Sequence, residues 1–266
     1  MATDDAPLAV AELVFSALPH GASATWVARV CGAGKRAVDL SSDLRPGNGG
    51  PIAPYGLTEV NRAEIEGAQI VANPGCYPTA ILMALLPLVE QELVQRGATI
   101  AVSAASGVTG AGFTPRPDLL FAEVSENFKA YGVGNEHRHL SEMRAVIAGA
   151  GGDVDLLFTP HLLPVARGIL ATIIVPLARP LQDALAPFRR RWAGEPFVEV
   201  TPAPPTLRDV NHRNVVRISA HHAAHVRGPT LIVFAAIDNL LKGAAGQALQ
   251  NANLALGLPE PMGLPA

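Results

Sequence analysis

Residues 70–79, IVANPGCYPT, contain the clearest structural pattern of the sequence. The short apolar run Ile70–Ala72 predicts a buried strand, and the turn residues Asn73-Pro74-Gly75 stop it. From Pro78 to about Val94 the apolar residues recur at helical spacing, and a proline suits the first turn of a helix. The stretch therefore predicts a strand, a tight turn and a helix, with Cys76 at the turn.

The same alternation extends toward the amino terminus. The apolar pattern predicts a strand over Leu13–Leu18, which ends at the turn Pro19-His20-Gly21. It also predicts a helix over Ser23–Val30 and a second strand over Ala37–Leu40. Strands that alternate with helices are typical of a parallel sheet wound by crossover connections. We therefore expect residues 1–75 to form one α/β domain.

After residue 76 the pattern changes to strands that follow one another. The predicted strands are 99–104, 155–158, 168–176, 215–218 and 231–236; the predicted helices are 180–193 and 239–256, and Gly107, Gly110 and Gly112 predict a flexible loop. This pattern indicates an α+β domain over residues 76–237. Residues 238–266 would return as a helix to the first domain.

Composition excludes several functional classes. The 266 residues carry 20 Lys and Arg against 23 Asp and Glu, a net charge of −3, so they offer no basic surface for nucleic acid. The longest uncharged stretch, 67–89, is interrupted by the turn at residues 73–75, which argues against a membrane span. Two cysteines cannot build a disulfide framework, and residues 1–5 lack the basic start of a secretory signal, so we expect a cytoplasmic protein.

Cys76 is the sharpest chemical candidate. A cysteine at the start of a helix lies where the helix dipole favours a thiolate, which is a nucleophile toward acyl carbon. The alternative is a small buried apolar residue, which is the usual role of a lone cysteine. Cys31, near the end of the helix that begins at Ser23, has no comparable setting and is expected to be structural.

A nucleophilic cysteine needs an acid/base partner, and His137-Arg138-His139 offers two imidazoles. In an extended segment these histidines would share one face, although a loop pair without a role is equally compatible with the spacing. His221, His222 and His225 have no carboxylate or thiol at a useful spacing, so we expect no metal site. The loop 106–112 could present backbone N–H groups to an anion, which is a weak signal alone.

Eight segments, in order, resemble the N-acetyl-γ-glutamyl-phosphate reductases, NADPH-dependent enzymes of arginine biosynthesis. The central one, ANPGCYPTA (72–80), is close to the active-site signature of that family. The others are FSALPHGASA (15–24), VDLSSDLR (38–45), YGLTEVNR (55–62), SGVTGAG (106–112), AYGVGNEHRH (130–139), TPHLLPVARGIL (159–170) and AIDNLLKGAAGQALQNANLALGLPE (236–260).

The resemblance implies a chemistry for these residues. Cys76 would attack the acyl phosphate and form a thioacyl enzyme, NADPH would reduce it, and N-acetylglutamate 5-semialdehyde would leave. His137 or His139 would supply the proton, and His137 is favoured. Arg45 and Arg167 would bind the anionic substrate, with a structural ion pair as the alternative for each.

The resemblance also implies a fold, a cofactor site and an assembly. The fold would be α/β: an incomplete Rossmann-type dinucleotide-binding domain (1–75) plus an α+β catalytic and oligomerisation domain of the semialdehyde-dehydrogenase type (76–237). NADP would contact two groups of residues: Pro19, His20 and Gly21; and Ser106, Gly107 and Asn239. The partner would be a small acyl phosphate, and the chain would form a homo-oligomer, either a dimer or a tetramer.

One departure from the family pattern concerns the cofactor. The family opens with a strand and a glycine-rich turn for the dinucleotide pyrophosphate, and this sequence reaches FSALPHG by residue 15 without one. The expectation is that the chain as given binds NADPH too weakly to detect at micromolar concentration. Two alternative functions follow: a reductase of carrier-bound aminoadipyl phosphate in lysine biosynthesis, or a catalytically degenerate scaffold.

Overall fold

A computed structural model describes residues 6–50, 53–112 and 116–266. The chain forms two compact units. The first contains Met1–Gly75 and Ala244–Leu264, and the second contains Cys76–Gly243 and Pro265–Ala266. Among the described helices, none combines the length and the apolar character that a membrane crossing requires.

The described strands form two sheets. The first unit has three parallel strands in the order β1-β2-β3, and the second has a seven-stranded mixed sheet in the order β5-β6-β4-β7-β10-β9-β8. The bounds are β1 Leu13–Ser16, β2 Arg36–Asp39, β3 Ile70–Ala72, β4 Ala98–Gly107, β5 Lys129–Ala130, β6 Val154–Leu163, β7 Ile169–Pro176, β8 Val198–Val200, β9 Val216–His222 and β10 Thr230–Ile237.

The described α-helices are distributed over both units. Their bounds are α1 Ser23–Gly32, α2 Thr58–Ile65, α3 Cys76–Val89, α4 Phe121–Val124, α5 His139–Gly149, α6 Ala186–Arg191 and α7 Gly246–Ala255. A π-helical turn, Leu241–Ala245, immediately precedes α7.

In the first unit both faces of β2 and β3 are buried. Val38 and Val71 pack against Ala248 and Ala252 of α7, whose small side chains allow close approach to the strands. The opposite face packs on α1 through Val27 and Val30. A strand that is apolar on both faces is typical of a parallel sheet covered by helices, as the sequence predicted.

In the second unit one face of the seven-stranded sheet is covered by α3. The side chains of Tyr77–Val89 are all buried, because the predominantly apolar α3 lies between the sheet and α5. The other face of the sheet is open within the unit, and Leu157 (50% exposed) and Ile174 (37% exposed) lie on it. We call this surface the open face.

Several elements differ from the sequence prediction. The helix predicted over 180–193 is confined to α6, because Asp183 accepts the N–H of Leu185 and Pro187 occupies the first turn. The glycine-bearing loop after Gly107 is a 3₁₀ helix, Val108–Ala111, rather than a flexible connection. The helices α2 and α5 were missed, although Leu140, Met143 and Ile147 have helical spacing.

The carboxyl-terminal segment divides between the units. Residues 238–243 belong to the second unit rather than to the returning helix. The cause is the buried Asp238, which accepts the backbone N–H groups of Leu240 and Leu241 at 2.8 and 3.1 Å and that of His212 at 2.8 Å.

Candidate active site

Cys76 is the first residue of α3, so the helix begins two residues earlier than the sequence predicted. Its side chain is partly exposed, whereas the next thirteen residues of the helix are buried. The amino terminus of a helix carries partial positive charge, which stabilises an anion such as a thiolate. The structure therefore gives Cys76 the setting that its proposed chemistry requires.

Aromatic rings from three segments surround the start of α3. The ring of Tyr77 contacts His137 and His139 edge-on, with centroids 5.5 and 6.2 Å away, and Phe158 of β6 at 5.2 Å. The two imidazoles lie 4.9 Å apart. Both predicted histidines therefore lie in one cluster, although His139 begins α5 instead of continuing an extended segment.

The two tyrosines of this cluster form a hydrogen-bonded chain. Tyr131 donates its hydroxyl hydrogen to the Tyr77 hydroxyl oxygen at 2.9 Å, and Tyr77 donates to the carbonyl oxygen of His161 at 3.3 Å. Burial raises the pKa of Tyr77 well above its usual value and raises that of Tyr131 to about 12, with the charge of Cys76 adding to both. The tyrosines are therefore neutral donors near pH 7.

His137 is held by the backbone of the next helix. The N–H of His139 donates to Nδ1 of His137 at 3.1 Å. Gly132 has a φ of +53°, and a Cβ there would stand 3.4 Å from Cδ2 of the imidazole. Burial, followed by the charge of Arg138, lowers the pKa of His137 to about 4, so the ring is neutral at pH 7.

A cavity of about 240 Å³ opens beside His137. Besides Ser106 and Gly107, its lining includes three cationic side chains: Arg116, Lys129 and Arg138. Arg116 and Lys129 share the carboxylate of Asp118, at 2.9 and 3.8 Å. Sequence reasoning missed these cations because isolated basic residues carry no spacing signal, although Arg138 stands between the two predicted histidines.

The predicted anion loop at 106–112 has its backbone donors already bonded. The N–H groups of Gly107, Val108 and Thr109 donate to carbonyls of residues 165–168, at 2.9, 2.9 and 3.3 Å. A Cβ on Gly107 would stand 2.8 Å from the carbonyl oxygen of Ala166. Glycine is therefore needed here for close packing of two chain segments, which corrects the expectation of a backbone anion site.

Asn239 and Arg167 stabilise the same region. Asn239 accepts the N–H of Gly168 at 2.8 Å and donates to the Thr109 hydroxyl at 3.0 Å. Arg167 forms an ion pair with the fully buried Asp238, with Nη1 and Oδ2 3.2 Å apart. These contacts fit the structural alternative that the sequence left open for Arg167.

Arg45 also fits the structural alternative. It is 5% exposed and donates to the carbonyl oxygens of Asn73 and Leu40, at 2.8 and 2.7 Å. A buried guanidinium that holds two backbone carbonyls connects the segments after β2 and β3. This geometry argues against the predicted role of Arg45 in substrate binding.

The Pro19-His20-Gly21 turn, predicted to bind the cofactor, already holds an anion of its own unit. The carboxylate of Asp43 accepts the N–H groups of Gly21, Ser23 and Ala24 at 2.7, 2.9 and 3.1 Å. Burial alone would raise the pKa of Asp43, but these bonds lower it below its ordinary value. His20 accepts the N–H of Ser42 at 2.9 Å, so its imidazole also serves the turn.

Gly243 contacts Cys76 directly. A Cβ on Gly243 would stand 2.8 Å from Cβ of Cys76 and 3.2 Å from Cδ1 of Ile237. Real Cβ atoms essentially never approach another atom this closely. A side chain at position 243 would therefore require either Cys76 or the segment of Gly243 to shift.

The histidines at 221, 222 and 225 lie in or after β9. His221 contacts the ring of Phe234 edge-on, with centroids 6.0 Å apart. Within the described ranges 6–50, 53–112 and 116–266, no group of three or more His, Cys, Asp or Glu side chains is arranged to hold a metal ion.

Two family models match the chain. Residues 1–68 match the semialdehyde dehydrogenase NAD binding domain, and residues 76–239 match the semialdehyde dehydrogenase dimerisation domain. The chain also superposes on aspartate semialdehyde dehydrogenase II from Vibrio cholerae, with a TM-score of 0.73 and 17% identity over 96% of this chain and 82% of that one. A probable aspartate-semialdehyde dehydrogenase from Pseudomonas aeruginosa gives 0.74, with 19% identity over 95% of this chain and 82% of that one. These likenesses establish the fold class, which confirms the sequence prediction.

Curated relatives identify the family of semialdehyde dehydrogenases to which the chain belongs. The N-acetyl-gamma-glutamyl-phosphate reductase of Laribacter hongkongensis is 44% identical over 98% of this chain and 80% of the relative. The enzyme of that name from Geobacter sulfurreducens is 42% identical over 97% of this chain and 80% of its own length. The chain belongs to the N-acetyl-γ-glutamyl-phosphate reductase family of semialdehyde dehydrogenases, as the resemblance of its segments predicted.

Proposed function

We propose that this protein reduces N-acetyl-γ-glutamyl phosphate to N-acetylglutamate 5-semialdehyde with NADPH, in arginine biosynthesis in the cytoplasm. The supporting observation is the position of Cys76 at the amino terminus of α3, next to the cluster that contains His137 and Tyr77. Membership of the reductase family supports the substrate and the direction of the reaction.

Cys76 is the proposed nucleophile. Its thiolate forms a bond to the acyl carbon while the bond from that carbon to the phosphate oxygen breaks, which leaves a thioester on the enzyme. A nicotinamide nucleotide, when bound, would supply the hydride that reduces this thioester. The carbon–sulfur bond then breaks, the aldehyde leaves and the thiolate of Cys76 is restored.

The cations of the cavity suit the substrate. The substrate carries a carboxylate and a phosphate, and both are anions that guanidinium and ammonium groups bind by charge-assisted hydrogen bonds. Arg116 and Lys129 share one carboxylate, that of Asp118, and Arg138 adds a further positive charge beside His137. We assign substrate binding to these residues in place of Arg45 and Arg167.

The described residues fit the nicotinamide nucleotide in part. The first unit has the parallel strands and the crossover helix that suit a dinucleotide. The N–H groups of its first described turn are occupied by Asp43, so they do not supply the pyrophosphate contact. Ser106 and Gly107, which line the cavity, remain proposed neighbours of the cofactor.

Phosphate-dependent oxidation of N-acetylglutamate 5-semialdehyde by NADP tests this function in the assayable reverse direction. We expect Cys76→Ser to lower kcat by at least about 10³-fold, because the acyl group loses its thiolate nucleophile. Cys31→Ser is the matched control and should leave kcat unchanged. A Cys76→Ser variant as active as the unmodified protein would refute the proposed mechanism. If the unmodified protein turned over carrier-bound aminoadipyl phosphate faster than N-acetyl-γ-glutamyl phosphate, that result would favour the lysine-pathway alternative.

The dimerisation domain supports a homo-oligomer, and we place its contact on the open face. Strand register lines up Leu157, Ala101, Ile174 and Ile232 across four adjacent strands, which gives a flat apolar row suited to a second copy of the sheet. We expect Leu157→Arg to shift the protein toward monomer in analytical ultracentrifugation. Val226→Arg changes a valine that is similarly exposed (53%) but lies in the β9–β10 connection, so this variant should keep the assembly intact. A dimer in both variants would refute the assignment of the contact to the open face. A tetramer of the unmodified protein would require a further contact surface.

A further inference from the structure

A carboxylate lies among the cations of the cavity beside His137. Of the described residues that line this cavity, Asp118 alone is acidic, and three are cationic: Arg116, Lys129 and Arg138. A site that binds an anionic substrate through its cations gains nothing from a further negative charge, because like charges repel. Substrate binding by the three cations therefore does not account for Asp118.

Asp118 is bound as a ligand anion would be. Arg116 donates to its carboxylate through two parallel hydrogen bonds, from Nε to Oδ1 at 3.0 Å and from Nη2 to Oδ2 at 2.9 Å. A guanidinium binds the carboxylate or the phosphoryl group of a small molecule through the same pair of N–H groups. These hydrogen bonds also lower the pKa of Asp118 below its ordinary value, so the side chain is an anion near pH 7.

Lys129 does not depend on this carboxylate for its position. Its Nζ lies 3.8 Å from Oδ2 of Asp118, but it also donates to the main-chain carbonyl oxygen of Asp118 at 3.3 Å. The backbone of Lys129 is paired with Leu162 in β6. The ammonium group therefore stays in the cavity when the side chain of Asp118 moves or is replaced.

Arg138 differs from the other two cations. It forms no ion pair with any residue in the part of the chain that the structure describes. An entering anion can therefore bind Arg138 directly, whereas it can bind both donors of Arg116 only after Asp118 has left them.

The pair of Arg116 and Asp118 can exchange its partner easily. Their side chains are 59% and 44% exposed, and ion pairs this exposed contribute little to stability because water solvates both charges. Asp118 lies in a short 3₁₀ helix, Pro117–Leu119, at the edge of the cavity. A carboxylate released from Arg116 can therefore turn into water instead of remaining buried without a partner.

We propose that Asp118 is an internal counterion of the substrate site, which holds Arg116 in the free protein and which an anionic group of the substrate displaces. This inference rests on the proposed function, which places the substrate in this cavity. The displacement favours a ligand with two anionic groups, because a group already held by Arg138 brings the second one to Arg116 at high effective concentration. A small single anion lacks this advantage and competes poorly with Asp118.

Binding of inorganic phosphate to the full chain tests the counterion. Asp118→Asn keeps the shape of the side chain and removes its charge. We expect the Kd of phosphate, measured by ³¹P NMR titration at pH 8 and low ionic strength, to fall by about 5- to 20-fold, the effect of removing one charge a few ångströms from a dianion in a water-exposed site.

Asp153→Asn is the matched control for this titration. It also removes the charge of an exposed aspartate paired with an arginine, Arg96, but it lies at the opposite end of β6 from the cavity. Its Kd should equal that of the unmodified protein. An unchanged Kd in Asp118→Asn, or no binding by either form, would overturn the proposal. A higher Kd would also overturn it, because Asp118 would then position Arg116 for the anion instead of competing with it.

The steady-state kinetics of the reverse reaction show which anionic group displaces Asp118. If Asp118→Asn lowers the KM of the semialdehyde, the substrate carboxylate takes the place of Asp118 on Arg116; if it lowers the KM of phosphate, the phosphoryl group does. Unchanged or raised values of both KM would contradict the proposal. The Arg116→Gln/Asp118→Asn double variant should lose the gain in phosphate affinity, since no guanidinium is released. The phosphate titrations stand even if the protein does not oxidise the semialdehyde, so they separate a failure of this inference from a failure of the proposed function.

Discussion

The amino termini of α1 and α3 differ in what they hold. Each follows a short strand and a turn that contains proline and glycine, at residues 19–21 and 73–75. At α1 the carboxylate of Asp43 accepts three backbone N–H groups, so the positive end of the helix is already paired with an anion. At α3 the first helical residue is Cys76, whose thiol can itself become the anion. One turn is therefore structural, and the other carries the proposed nucleophile.

The two cysteines show the same contrast. Cys31 lies in the last turn of α1, where the helix presents carbonyl oxygens rather than N–H groups, and burial raises the pKa of its thiol. Its Sγ is 4.0 Å from the carbonyl oxygen of Gln69. Because the negative end of a helix disfavours an anion, Cys31 should be much less reactive than Cys76.

Among the tests of this contrast between helix ends, moving Cys76 within its setting should have the greatest effect. In the Gly243→Ala variant the new Cβ would stand 2.8 Å from Cβ of Cys76, so one of the two segments must move. A displacement of about 1 Å at a reacting group can cost about 10²-fold. We therefore expect kcat to fall by about 10- to 100-fold, with a parallel loss in the rate at which iodoacetamide alkylates Cys76.

Gly149→Ala is the matched control for this variant. Gly149 ends α5 in the same unit, and a Cβ there would meet no atom within 4 Å. The control should keep both rates. If Gly243→Ala lowered only the melting temperature and left both rates unchanged, Gly243 would be a packing residue with no effect on the nucleophile.

A smaller effect should separate the two cysteines in the unmodified protein. With limiting iodoacetamide near pH 7, we expect Cys76 to be alkylated about tenfold faster than Cys31, because thiolate rather than thiol is the reactive form. Peptide mass spectrometry of the two alkylated cysteines gives the ratio. Equal labelling, or preference for Cys31, would remove the contrast between the two ends of these helices.

Local sequence patterns predicted that a helix begins next to Cys76. Ile70–Ala72 and the turn that follows are read from neighbouring residues, so the position of Cys76 at a helix start was predictable. The two histidines were placed together correctly, although through a wrong local conformation: the chain turns into α5 at His139. The proximity of the rings follows from packing on Tyr77 and Phe158, which lie far away in sequence.

The rest depends on contacts that no local pattern encodes. Asp43 lies 22 residues after Gly21, and nothing around it marks it as the anion of the earlier turn. The contact between Gly243 and Cys76 joins residues at opposite ends of the second unit's sequence. The cations at 116, 129 and 138 come together only when β5 and the start of α5 are folded.

The weakest effect in this series is expected from replacing Asp43, whose carboxylate accepts backbone N–H groups at the start of α1. Asp43→Asn keeps one acceptor oxygen and replaces the other with an amide NH₂ group, which can only donate, so at least one of the N–H groups of Gly21, Ser23 and Ala24 loses its acceptor. Loss of such a cap typically costs about 1 kcal/mol, so we expect urea denaturation at pH 7 to report that decrease in the free energy of unfolding. Asp153→Asn, which alters an ion pair with both partners exposed, should change the free energy by less than about 0.5 kcal/mol.

The pH dependence of the Asp43 effect has a definite sign. Because the pKa of Asp43 is lower in the folded protein than its ordinary 3.8, its carboxylate contributes stability that is complete well above pH 3.8 and is lost as the pH falls through the folded value. The difference between the unmodified protein and Asp43→Asn should therefore be constant from pH 6 to 8 and should shrink as the pH falls below about 4. A difference that grew on acidification would mean that Asp43 is bound as the neutral acid, and the turn before α1 would then hold no anion to contrast with the thiolate of Cys76.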